Sequence, residues 1–106
     1  MQQLVAMLVD AGAAEVHVRI SSPPVVSPCF YGIDMADQDE LAAAHRSVEQ
    51  MRERIGATSL QYLSLEGMQA ATRLPEDSVC RACFTREYPT TVPAGCSTKM
   101  RFEVVA

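Results

Sequence analysis

Two cysteines separated by two residues, Cys80-Arg81-Ala82-Cys83, constrain this chain more than any other feature. A backbone that reverses within four residues lets both thiolates turn toward one metal or cluster. The chain has 106 residues, enough for one small domain at most. A domain of that size buries only about 60–65% of its unfolded surface, so a metal, a disulfide or a partner commonly adds to its stability. No charged stretch followed by an apolar segment opens the chain as in a secretory leader. The expected compartment is therefore the reducing cytoplasm, where paired cysteines more often mean metal or redox chemistry than structural disulfides.

Four readings of the pair stay open: ligation of a metal or iron–sulfur centre, thioredoxin-like redox chemistry, a disulfide, or two small buried hydrophobes by coincidence. The redox reading expects a strand before the motif and a helix after it, whereas here Pro75 precedes it and Phe84-Thr85 follows. Cys29 is the natural third ligand, in a Pro-rich, Gly-flanked loop where backbone turns can aim a thiolate. A lone cysteine is otherwise an ordinary small core residue. Cys96, after Gly95, completes a four-cysteine zinc site with Cys29, Cys80 and Cys83 in one reading and is a plain thiol near a ragged end in the other.

Composition excludes several classes. Hydrophobic residues make up 48% and charged residues 21%, which argues for a packed chain rather than a disordered one. The net charge of −4 gives no overall field for nucleic acid or an anionic membrane. Apolar runs such as Leu4 to Val9 fall far short of the ~20 residues of a membrane span.

The periodicity alternates between helix and strand. Leu4, Met7, Leu8 and Ala11 follow i, i+3, i+4, i+7 and predict one buried helix face, closed by Gly12. Glu15 to Ser21 reads as a strand, with Val16, Val18 and Ile20 on one face. Helix then strand is half of a βαβ unit, and its first parallel strand is missing. This suggests a chain that begins in the middle of a larger α/β domain. Asp37 and Glu40 predict a helix over Gln38 to His45, and Ser47 with Gln50 predicts a second, stopping at Gly56. Val48, Met51, Arg52 and Ile55 share its face. A short extended piece at Gln61 to Leu63 precedes a helix from Leu65 to about Arg73, capped by Ser64. Leu65 and Met68 face inward, and Pro75 ends the helix. Beyond Asp77 the chain reads as irregular, apart from a strand at Arg101 to Val105. His17 and His45 read as structural, and the acidic pair Asp39-Glu40 as a solvated helix face. No phosphate-binding glycine loop, zinc-protease motif or nucleophile elbow is present.

Several stretches in order resemble the amidophosphoribosyltransferases, the glutamine-dependent enzymes that open purine synthesis. They are Asp10 to Pro24, Pro28-Cys29-Phe30-Tyr31-Gly32-Ile33-Asp34, Ile55 to Leu60 running into Tyr62 to Gly67, and Cys80 to Thr85 with Tyr88-Pro89-Thr90. The resemblance covers residues 1 to about 91. It implies the C-terminal part of a type I phosphoribosyltransferase fold, a partial parallel sheet with helices, over residues 1–74. An irregular cysteine-containing tail follows over 75–106. It implies a 4Fe–4S cluster with Cys29, Cys80 and Cys83 as three of its four ligands and the fourth upstream, and no cluster role for Cys96. It also implies that the cluster, as in the iron–sulfur subgroup of that family, pins the C-terminal segment rather than moving electrons. The resemblance further implies a transferase making 5-phosphoribosylamine from phosphoribosyl pyrophosphate and glutamine, with Mg2+ at the pyrophosphate donor. The expected partners are those small molecules, the rest of its own chain and further copies in a homo-oligomer, with no nucleic acid and no membrane. No catalytic residue carries over onto these positions, so the chain alone is expected to be inactive. The alternative is a small non-enzymatic zinc module held by the four cysteines.

Overall fold

A computed structural model describes residues 1–33 and 41–92. The expected cap at Asp37 and Glu40, the pair Asp39-Glu40, the start of the helix predicted at Gln38, Cys96 and the strand at Arg101 to Val105 lie outside the described residues.

Helix α1 spans Gln2–Asp10 and hands over to strand β1, His17–Ile20, through Gly12, whose φ of +103° only glycine adopts without strain. Gly12 N–H donates to the Val9 carbonyl at 2.9 Å and Ala13 N–H to that of Leu8 at 3.0 Å, which satisfies carbonyls the helix end leaves open. After a loop come the single turn α2, Ala42–His45, and α3, Val48–Ile55. The α3 start is a complete capping box. Gln50 N–H donates to Ser47 Oγ at 3.1 Å, and Ser47 N–H donates to Gln50 Oε1 at 2.9 Å. Gly56, at φ +75°, ends it as predicted.

Strand β2, Ser59–Tyr62, lies parallel to β1 in the register His17 to Ser59 and Ile20 to Tyr62. The short extended piece expected at 61–63 is thus a sheet strand. Among the described residues β1 has one parallel neighbour, β2, reached through α2 and α3. The ladder is lengthened by Thr58 N–H on the Val16 carbonyl and Leu63 N–H on the Ile20 carbonyl.

The core sits between this pair and the helices: Val5, Val18, Met51, Ala57 and Leu60, flanked by Val16, Ile20, Ile55 and Tyr62. One expectation fails here. The buried side of α1 is Val5, and Leu4, Met7 and Leu8 are exposed by 52, 66 and 42%. Periodicity marks an apolar stripe, but which of its residues meets the sheet depends on how the helix is rolled against it.

Helix α4, Leu65–Thr72, starts where Ser64 Oγ accepts Gly67 N–H at 3.0 Å. Leu65 and Met68 are half-buried, short of the core. The helix stops before Pro75, at Arg73, which takes a left-handed φ of +57°. Pro75 instead opens a 3-10 turn over Glu76–Ser78. The segment expected to be irregular holds one more helical turn, α5, Ala82–Thr85.

Candidate functional site

The two cysteine-bearing segments meet. Cys80 precedes α5 and is exposed; Cys83 lies within α5 and is partly buried, as is Cys29. The carbonyl of Cys83 accepts Val26 N–H at 2.9 Å and Ser27 N–H at 3.1 Å. These bonds join the loop that carries Cys29 to the turn that carries Cys83. Tyr31 N–H donates to Cys29 Sγ at 3.3 Å. Burial pushes the Cys83 thiol above its ordinary range, and the neighbouring charges of Cys29 and Cys80 push the same way, against a backbone hydrogen bond that lowers it. The motif does open a helical turn, as a redox motif should, but a 3-10 turn rather than a strand precedes it.

The three sulfurs are soft donors of the type that holds zinc or iron–sulfur clusters. A single zinc needs its thiolates at about 2.3 Å. Among the described residues no three His, Cys, Asp or Glu side chains converge for one ion. A cluster takes one thiolate per iron and so spreads its ligands around a wider cage. Beside Cys80 an open cleft of about 450 Å³ is bordered by Glu76, Arg81, Glu87 and Tyr88, and Arg81 pairs with Glu76 across it.

A second constellation escaped the sequence. The partner of His17 is distant in sequence: across the sheet Ser59 Oγ lies 2.7 Å from its Nδ1, and Glu15 Oε2 lies 3.0 Å from its Nε2. The carboxylate accepts the Nε2 proton, so Nδ1 accepts from the Ser59 hydroxyl. That hydroxyl also accepts Arg19 Nη1–H at 2.9 Å. His17 and Glu15 are open to solvent. The group is a cross-strand tie on the outer sheet face, in keeping with a structural His17. His45 ends α2, where a basic side chain faces the negative end of the helix.

Fold and thiol-bearing loops together define an α/β segment whose C-terminal stretch is docked onto the loop that follows its first strand. No protein-family model matches the chain. Curated relatives do. An amidophosphoribosyltransferase of Synechococcus elongatus is 55% identical over 92 residues, 87% of this chain and 19% of that protein. One of Bacillus subtilis is 50% identical over 95 residues, 86% of this chain and 20% of that protein. Among solved structures, glutamine phosphoribosylpyrophosphate amidotransferase from B. subtilis complexed with ADP and GMP superposes with a TM-score of 0.78. It is 49% identical and covers 89% of this chain and 22% of its own. A structure described as the allosteric regulatory enzyme of purine biosynthesis gives 0.79 at 47% identity, over 89% of this chain and 21% of its own. Over most of its length the chain is thus similar to one segment of the amidophosphoribosyltransferases, and it spans about one fifth of the length of the curated relatives it matches. Among the described residues no helix is long and apolar enough to cross a membrane.

Proposed function

We propose that this chain is the C-terminal part of an amidophosphoribosyltransferase that makes 5-phosphoribosylamine from phosphoribosyl pyrophosphate and glutamine, the first step of de novo purine biosynthesis. Its own contribution is scaffold and anchorage. Cys29, Cys80 and Cys83 are three ligands of a 4Fe–4S cluster, and the fourth ligand, the glutaminase and the Mg2+-dependent donor site belong to residues outside these 106. The observation that carries the reading is the docking of Val26 and Ser27 on the Cys83 carbonyl, which joins the Cys29 loop to the Cys80–Cys83 turn. When bound, the cluster supplies a covalent tie between two segments far apart in sequence. The chain's part is to present thiolates, to lend the Tyr31 N–H to the Cys29 sulfur and to shield Cys83 by burial.

Anaerobic addition of ferrous iron and sulfide to the complete protein tests this. The visible absorption of a thiolate-bound cluster should develop, vanish in Cys29→Ser and Cys83→Ser, and survive Cys96→Ser. A colourless protein holding one zinc that Cys96→Ser releases would overturn it in favour of a zinc module. For the activity, the complete protein should form phosphoribosylamine and the 106-residue chain none; product from the chain alone would refute the scaffold role.

A further inference from the structure

The contacts that join the Cys29 loop to the Cys83 turn are made by the polypeptide's own groups, and Tyr88 is their hub. Its hydroxyl proton goes to the carbonyl of Pro28, the residue before Cys29, at 2.7 Å. A phenol has one proton, so the buried Ser27 hydroxyl is the donor in its 2.5 Å contact with Tyr88 Oη. The ring of Phe30, the residue after Cys29, lies 5.1 Å from the Tyr88 ring at 54°, and that of Tyr31 lies 6.2 Å away at 56°. These are tilted aromatic contacts of the favourable kind. Tyr88 thus touches the chain on both sides of Cys29. Thr90 closes the far edge, its N–H donating to Tyr31 Oη at 3.3 Å and its hydroxyl 3.0 Å from the same oxygen. Arg86 reaches back to the Val26 carbonyl at 3.4 Å.

We infer that Tyr88 is a positioning residue which sets the Cys29 loop against the Cys80–Cys83 turn in the metal-free protein, so that iron and sulfide meet two thiol-bearing segments already joined. The inference rests on the reading of these cysteines as cluster ligands and goes beyond it, because it makes the polypeptide rather than the cluster the agent that first closes the long loop between them. Closing that loop costs chain entropy. A site whose surrounding contacts have already met that cost binds its ligand with less left to order, and hydrogen bonds behind the ligating residues are the usual means of orienting them.

The experiment uses the complete protein, stripped of metal under anaerobic reducing conditions. Hydrogen exchange is followed in the peptides over residues 24–31. Tyr88→Phe keeps the ring and deletes both hydroxyl contacts, so exchange at Val26, Ser27 and Tyr31 should quicken about tenfold, as the net loss of two hydrogen bonds implies. The visible absorption after adding ferrous iron and sulfide should rise several-fold more slowly than in the unmodified protein and reach the same final height. Should Tyr88→Phe not fold, Ser27→Ala removes the hydroxyl that donates to Tyr88 and should speed the same amides several-fold. Equal exchange in unmodified and substituted protein overturns the inference. Absorption that rises at the unmodified rate in Tyr88→Phe overturns it alone and leaves the ligand reading standing. No uptake by any form of the protein refutes the ligand reading, and this inference with it.

Discussion

Single residues carry the most legible part of this chain. Ser47, Gln50 and Gly56 spell a helix with a start and a stop, and the described bonds follow that spelling. Caps act over four residues, so local sequence holds all the information they need. Ser47→Ala should cost about 1 kcal/mol, read as a lower midpoint in urea denaturation with an unchanged slope. Arg73 and Arg86 went unforeseen in left-handed conformations, because nothing but a glycine or asparagine announces that region in advance. Tyr62 adds a pH dependence. Burial holds its phenol above the ordinary value of 10, so the unfolded chain gives up this proton first. Its contribution is intact below the unfolded value and declines as pH rises through that value toward the raised folded one. Tyr62→Phe should therefore flatten the loss of stability between about pH 8 and about pH 11, measured by denaturation at both, at the expense of the weak hydroxyl contact to Met51 Sδ at 3.8 Å.

Elements were legible in proportion to their length and regularity. β1 and α3 were readable because alternation and a 3.6-residue period each repeat within them. The turn α5 has only Ala82 to Thr85, too short for any period to show. β2 was visible as an extended piece, but its parallel pairing with β1 depends on residues some forty positions away, across the loop and two helices between. α1 shows the limit of pattern reading: the stripe was real and its buried member was Val5. Two substitutions separate core from stripe. Met51→Ala should cost about 2 kcal/mol or more, as deletion of a buried methionine does. Leu4→Ala, on the open side of α1, should stay within about 0.5 kcal/mol. Thermal or urea denaturation of the chain checks the order, and a reversed order would mean that the core has been drawn on the wrong face.

At the scale of the whole molecule, the small core and the open stripe belong together. Met1, Leu4, Met7, Leu8 and Val9 are all exposed on or beside α1, and exposed apolar surface of that kind attracts hydrophobic dyes and other chains. The 106-residue chain should bind an apolar fluorescent dye and sediment above its monomer mass, and Leu4→Lys with Leu8→Lys should suppress both. Dye binding that ignores the double substitution would place the open surface elsewhere. The residue pattern along the chain determined what is local: helix starts and stops, the first strand, the chemical kind of the cysteines and, block by block, the likeness to the amidophosphoribosyltransferases. The tertiary structure alone decided which face of α1 is covered, which strand pairs with β1, and that Ser27, Pro28 and Phe30 close around Tyr88 some sixty residues on. The reason is physical. Caps and periods are set by neighbours a few bonds away, whereas parallel pairing and the Tyr88 clasp require two distant stretches to meet, and no short window of sequence records the closure of the loop between them.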